Sequence, residues 1–143
     1  PLAVKISPDI DQMDIDRIAE SLARYELDAV IATNTTTSRP GVSAQAAQSI
    51  EQGGLSGEPL NEMSNRVIAR LASALGSALP IIGVGGIMNA TDAWEKFTAG
   101  ASLIQLYTGL IYHGPRLLGD ILTDIDQRMS SAQASSLTEL LGR

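Results

Sequence analysis

Four short apolar runs, at 2–6, 29–33, 80–84 and 102–107, alternate with stretches that carry apolar residues at helical spacing. No other feature of the chain limits its fold as tightly. The runs are rich in Val, Ile and Leu, the composition of strands covered on both faces. Between the first two, Ile15, Ile18, Ala19 and Leu22 fall at i, i+3, i+4 and i+7, one face of a helix. Met63, Val67, Leu71 and Leu75 repeat every four residues before the third run, with Ile68 and Ala72 beside them. A shorter helical stretch over 90–98 follows that run, with Asn89 placed to cap it. After the fourth run, Leu117, Leu118, Ile121, Leu122 and Ile125 form a last apolar face, and Pro115 occupies a first-turn position. Such alternation predicts parallel strands joined by helical crossovers.

Four units in 143 residues are about half of the roughly 250 residues of an eight-unit barrel. A free-standing doubly wound sheet of four strands is the competing fold. It lacks the Gly-x-Gly-x-x-Gly turn that a dinucleotide-binding sheet carries after its first strand. The expected fold is therefore α/β, half of a (β/α)8 barrel with four parallel strand–helix units, over residues 1–129. Residues 130–143 open on a Ser/Ala/Gln-rich segment and are expected as a mobile tail, with one helical turn available at 137–141. Pro1 leads directly into an apolar run, which reads as a cut through a larger fold.

Composition removes several function classes. A net charge of −6 with no basic stripe argues against a nucleic-acid surface, where phosphates need clustered Lys and Arg. Zero cysteines exclude disulfides, zinc thiolates and thiol nucleophiles. No apolar run approaches the ~18–20 residues of a membrane-spanning helix. His113 is the single histidine, so no zinc site is expected, and no metal of any kind. Asp120, Asp124 and Asp126 read as a solvated helix face, and Ser56 has no neighbouring His or Asp to make it a nucleophile. Trp94 and Phe97 are expected to pack against the sheet.

Chemistry concentrates at the ends of the four runs, and ligands sit at the carboxyl ends of strands in parallel α/β folds. The first run carries Lys5 between Val4 and Ile6, either a cation held in a barrel mouth against an anion or a lysine snorkelling at a ragged chain start. The second leaves through Thr33-Asn34-Thr35-Thr36-Thr37. An asparagine there offers one acceptor and two donors, the pattern of an amide-like edge such as a pyrimidine ring, or else satisfies its own turn. A long loop over about 37–60 follows, with Gly53-Gly54-Leu55-Ser56-Gly57 just before a helix, a composition suited to a backbone cradle. The third run stops in Gly83-Val84-Gly85-Gly86, where missing Cβ atoms let backbone N–H groups approach an anion. The fourth ends in Tyr107-Thr108-Gly109, poised to open a short helix. Phosphate sites in barrels frequently form after the last two strands.

Taken in order, Ala-Val-Lys-Ile-Ser-Pro-Asp around Lys5, Ile-Ala-Thr-Asn-Thr-Thr, Gly-Gly-Leu-Ser-Gly-Glu-Pro-Leu, Pro-Ile-Ile-Gly-Val-Gly-Gly-Ile and Gly-Ala-Ser-Leu-Ile-Gln-Leu-Tyr-Thr-Gly resemble the carboxy-terminal half of the dihydroorotate dehydrogenases. The likeness is greatest to their quinone-linked, membrane-associated class and runs from residue 1 to about 125. It implies an FMN flavoprotein of pyrimidine biosynthesis that oxidises dihydroorotate to orotate with a quinone as acceptor. By the resemblance, Lys5 and Thr33 contact the flavin, and Asn34 and Thr35 hold the pyrimidine. Gly57, Gly86, Tyr107 and Thr108 would hold the FMN phosphate and ribityl chain.

The family's catalytic base is a serine on a loop upstream of anything present here, so no catalytic residue is expected in this chain. Ser7, Ser38 and Ser56 do not match the motif of that base. The resemblance further implies a full-length protein peripheral to the cytoplasmic face of the cell membrane, meeting quinone through an amino-terminal part. A half-barrel has two unpaired edges and an inner face without its opposite layer, so the chain is expected to self-associate or to pair with the other half. Two other readings stay open at this point: another phosphate-binding barrel enzyme, such as an isomerase or aldol-type enzyme, and a non-catalytic half-barrel that binds an anion or a partner.

Overall fold

The computed structural model describes residues 1–43 and 53–143. The four runs form one sheet of parallel strands in sequential order: β1 (Ala3–Ile6), β2 (Ala29–Ala32), β3 (Ile81–Val84) and β4 (Leu103–Gln105). Helix α1 (Gln12–Arg24) joins β1 to β2, α2 (Asn61–Leu75) leads into β3, and α3 (Ala90–Ala99) joins β3 to β4. After β4 come α4 (Thr108–His113), α5 (Arg116–Ala132) and α6 (Leu137–Leu140). The strands are shorter than the apolar runs. Pairing ends at Ala32↔Gly83 and Val84↔Gln105, which leaves Thr33 and Tyr107 beyond the ladder. Part of the long loop expected over 37–60 lies outside the described residues.

Caps and close approaches fix the helices. Asp11 accepts from the Asp14 amide at 2.8 Å to start α1. Asn89 accepts from the Asp92 amide at 3.0 Å to start α3, as its position predicts. That helix stops at Gly100, where φ is +127° and a Cβ would lie 2.3 Å from the Ala72 Cβ. The α2–α3 contact is thus closer than any side chain at Gly100 would allow.

Ile6, Val30, Ala32 and Ile81 on the sheet pack with Ile15 and Leu22 of α1 and Ile68 and Leu71 of α2 in the main core. Ile87, Ala93, Leu117 and Ile121 form a second cluster under α3 and α5. The opposite face of the sheet is the bare inner face that a half-barrel implies. Lys5, Ile31, Ile82 and Leu103 align in one row across all four strands, on the side away from Val30 and Ile81. Leu103 is 59% exposed, whereas Val30 is fully buried. Among the described residues helices cover one face only, and the sheet is open, with β1 and β4 at its edges.

One local expectation needs correction. Trp94 does not pack against the sheet; the Arg128 guanidinium of α5 lies over its ring, 4.6 Å from the centroid. Phe97 is the buried aromatic of α3. Residues 130–143 contain the last turn of α5, the short α6 where a helical turn was expected, and Arg143. The Arg143 guanidinium donates to the carbonyls of Gly100 at 3.0 Å, Ala101 at 3.3 Å and Phe97. Those carbonyls belong to the end of α3 and the residues just after it, where the helix dipole favours a cation. No helix among the described residues is long and apolar enough to cross a membrane.

Candidate functional site

Because the strands are parallel, their carboxyl ends share one rim. A cleft opens there, lined by Lys5 from β1 and by Thr33, Asn34 and Thr35 just past β2. Gly57 from the loop before α2, Gly86 after β3, and Tyr107 and Thr108 after β4 complete it. All eight residues singled out in the sequence meet in this one place. The cleft measures about 90 Å³, well below the ~300–1,000 Å³ of small-molecule sites, as suits a site open along the uncovered face of the sheet.

Lys5 is paired in register with Ile31 and is exposed on the rim side, so it is a strand residue and not a ragged chain start. Among the described residues its ammonium makes neither an ion pair nor a hydrogen bond, which leaves its charge for a ligand. Past β2 the backbone stays tied to the sheet: Thr33 N donates to Val84 O at 2.9 Å and Asn34 N to Ile6 O at 2.7 Å. The Ala32–Thr33 peptide is cis. Part of the local-turn reading holds here. Thr33 Oγ1 donates to the Asn34 carbonyl at 3.0 Å, and Asn34 Oδ1 accepts from Thr35 N at 2.9 Å.

One anchor of this segment escaped the sequence reading. The Asp9 carboxylate accepts from the Thr36 hydroxyl, from Thr37 N at 2.6 Å and from Thr37 Oγ1 at 2.9 Å. Arg39 then donates to the carbonyls of Thr37 at 3.1 Å and Gly53 at 2.5 Å, and Thr36 forms an antiparallel bridge with Leu55. Burial pushes the Asp9 carboxyl up, but the hydrogen bonds from Thr36 and Thr37 and the Arg39 charge outweigh it, so the acid stays below its ordinary value. The only signal for this anchor was an Asp just past a strand end; its partners lie 27 and 28 residues on.

The glycines form the floor. Gly57 has φ +83°, and a Cβ there would stand 3.1 Å from Thr108 Cγ2. Thr108 Oγ1 donates to Ser56 Oγ at 2.9 Å, so the loop before α2 and the start of α4 are joined beside Gly57. Gly86 has φ +73°, and its Cβ would fall 2.4 Å from Asn61 N, inside the first turn of α2. A backbone this bare, beside threonine and serine hydroxyls, suits an anionic oxygen cluster such as a phosphate. Ser56 and Gln105 also line the cleft and were not foreseen as site residues. Among the described residues, no carboxylate, histidine or cysteine lines it. Its chemistry is that of holding a flat, amide-bearing ligand and an anion, without a strong proton acceptor.

Comparison with known proteins agrees with this arrangement. The family described as dihydroorotate dehydrogenase matches residues 1–129. Dihydroorotate dehydrogenase (quinone) of Albidiferax ferrireducens is 58% identical over 118 residues, covering 82% of this chain and 33% of that protein. The Nitrosospira multiformis protein of the same name is 57% identical over 121 residues, covering 85% of this chain and 34% of its own length. A crystal structure of the Eimeria tenella DHODH in complex with ferulenol superposes with a TM-score of 0.87 at 33% identity, over 99% of this chain and 37% of that one. The present chain therefore spans about a third of the length of the curated relatives it matches. Motifs, topology and these likenesses lead to one assignment: the chain belongs to the dihydroorotate dehydrogenase family.

Proposed function

We propose that this chain supplies the flavin- and pyrimidine-holding rim of a quinone-linked dihydroorotate dehydrogenase. The observation that carries the reading is the meeting of Lys5, Thr33, Asn34, Thr35, Gly57, Gly86, Tyr107 and Thr108 around one cleft at the carboxyl ends of parallel strands. The residues fit FMN. Gly57 and Gly86 leave a backbone cradle that a Cβ would obstruct, flanked by the Ser56 and Thr108 hydroxyls that suit the phosphate and ribityl chain. Lys5 places a free cation where a reduced, negatively charged ring would be stabilised. Asn34 and Thr35 present amide and hydroxyl groups to the pyrimidine edge.

When bound, FMN supplies a two-electron acceptor for the hydride of dihydroorotate C6, and a quinone afterwards takes those electrons. The C5 proton leaves to a base, and among the described residues the cleft lining contains no group suited to that task. That base and the remaining wall of the site come from the rest of the protein, in line with the relatives' greater length. The row from Lys5 to Leu103 and the two sheet edges are where the other half of the barrel closes, whether in one polypeptide or by association. Peripheral attachment at the cytoplasmic face of the cell membrane, and contact with quinone, belong to the whole protein.

The test uses the whole protein that carries this chain. Purified protein should show flavin absorbance that dihydroorotate bleaches without added quinone, and Asn34→Ala should raise the dihydroorotate requirement while flavin is retained. Protein without flavin would refute the cofactor. Flavin that dihydroorotate leaves oxidised would refute the substrate.

A further inference from the structure

Behind the glycine cradle lies a buried cation that the cleft does not touch. Lys96 of α3 has no solvent exposure. Its Nζ donates to the Asn61 carbonyl at 3.2 Å, to Asn61 Oδ1 and to Asn65 Oδ1 at 2.5 Å. Three ammonium protons meet three acceptors, all on the first turns of α2. Asn61 Nδ2 in turn donates to Asp92 Oδ1 at 3.3 Å and Glu95 Oε2 at 3.0 Å, and Asn65 Nδ2 to Glu95 Oε2 at 3.2 Å. Asp92 also accepts from Met88 N at 2.8 Å, and Ser64 Oγ donates to Gly85 O at 3.3 Å. The loop after β3 is thus pinned at both ends to this network. Its middle rests on Asn61, whose backbone N and Cα lie 2.4 and 2.5 Å from where a Gly86 Cβ would be.

We propose that Lys96 is a positioning residue for the phosphate of the bound flavin, acting through Asn61 on the backbone of Gly86. The inference rests on the reading of Gly86 as part of the phosphate cradle. Its physical basis is geometric. An ammonium supplies a donor to each of the three asparagine oxygens around it, whereas a neutral amine has two donors and turns a lone pair towards one of them. Loss of the third bond frees Asn61, and with it the surface on which Gly86 sits. Asp92 and Glu95 are the charged groups facing Lys96 from its own helix; α2 contributes only the two neutral amides. Residues 81–88 carry no titratable side chain, Arg128 of α5 is occupied by Asp124 and Trp94, and Arg143 by carbonyls at and after the end of α3. Burial lowers the Lys96 pKa to about 8 against the pull of Asp92 and Glu95, so the ammonium predominates at pH 7 and is largely gone by pH 9.5.

Riboflavin, which is FMN without its phosphate, isolates the effect. In the whole protein, Lys96→Met should lower the ratio of FMN to riboflavin affinity about tenfold at pH 7, the scale of a lost hydrogen bond to a charged group. The same ratio in the unmutated protein should fall between pH 7 and 9.5, while that of Lys96→Met stays flat. A phosphate monoester has its second pKa near ~6, so it keeps its charge throughout, and the ring is common to both ligands. Equal weakening of the two ligands, or an unchanged ratio, would overturn the proposal. Should Lys96→Met fail to fold, the pH dependence of the unmutated protein decides alone, and a flat ratio overturns the proposal. An unmutated protein that does not prefer FMN to riboflavin would instead remove the phosphate reading of Gly86 itself.

Discussion

Replacing Gly86 by Ala tests the floor of the site with one methyl group. The residue has φ +73°, and its new Cβ would lie 2.4 Å from Asn61 N and 2.5 Å from Asn61 Cα. Both are backbone atoms held by α2, so no flexible side chain can swing aside. Left-handed backbone costs a non-glycine residue ~1–2 kcal/mol, and forcing an extra carbon into a packed site costs ~1–3 kcal/mol. We expect Gly86→Ala to destabilise the whole protein by about 2–5 kcal/mol and to empty it of flavin. Gly119, on the exposed face of α5, is the control: its φ is not positive, and no atom stands within 4 Å of the place its new methyl group would take. There Ala should stabilise by ~0.5–1 kcal/mol, because glycine in a helix interior sacrifices more backbone entropy. Urea unfolding with matched slopes gives both numbers. A Gly86→Ala protein as stable as the parent, with its flavin in place, would refute the close packing of the cradle on α2.

Other outcomes follow from the same geometry. Leu71 is fully buried in the main core, and Leu71→Ala should cost ~2–5 kcal/mol in urea unfolding; a cost under ~1 kcal/mol would place it outside a packed interior. Asp9→Ala should raise the dihydroorotate KM several-fold with flavin content unchanged, since it frees Thr36 and Thr37 beside the pyrimidine-facing segment. The Asp9 pKa is lowered in the fold from 3.8, so its anchoring is complete above the ordinary value and is lost as pH falls through the lowered one. Proteolytic nicking of the 37–43 segment should therefore begin only in strong acid, and nicking already at neutral pH would count against the anchor. Arg128→Ala removes both the Trp94 contact and the Asp124 pair, 2.6 Å in length, and should cost about 1 kcal/mol in thermal or urea unfolding.

The fold was legible where local periodicity and tertiary demand coincide. Ile15, Ala19 and Leu22 lie at helical spacing, and all three are buried. Val30, Ala32 and Ile81 sit in short apolar runs that became the sheet. The runs by themselves do not tell coverage, because a strand destined for a barrel interior is as apolar as one buried by helices; the bare inner face follows instead from there being four units where a closed barrel has eight. Ile82 and Leu103 face the uncovered side, and nothing in their local sequence says so. Among the site residues, those beside glycine or at strand ends were readable since strand ends converge in any parallel α/β fold. Asp9 with Thr36 and Lys96 with Asn61 were not. Each pair joins segments 27 and 35 residues apart through side-chain bonds, which leave no periodic trace.

The division of labour along the chain follows from barrel geometry. Every parallel strand contributes its carboxyl end to the same rim, so adjacent strands build adjacent parts of one ligand's envelope. Here β3 and β4 bring Gly86 and the Thr108 hydroxyl, while β1 and β2 bring Lys5 and Asn34 to the same cleft. A cation, an amide and a bare backbone can hold a nucleotide and a pyrimidine without any group that removes a proton. On the proposed reading, the base that takes the proton comes from a part of the rim that these four strands do not form, since no carboxylate, histidine or cysteine among the described residues lines their cleft. On that reading binding and proton removal would fall on different arcs of the barrel rim, and Lys5, on the edge strand β1, would stand beside one of the two seams between them.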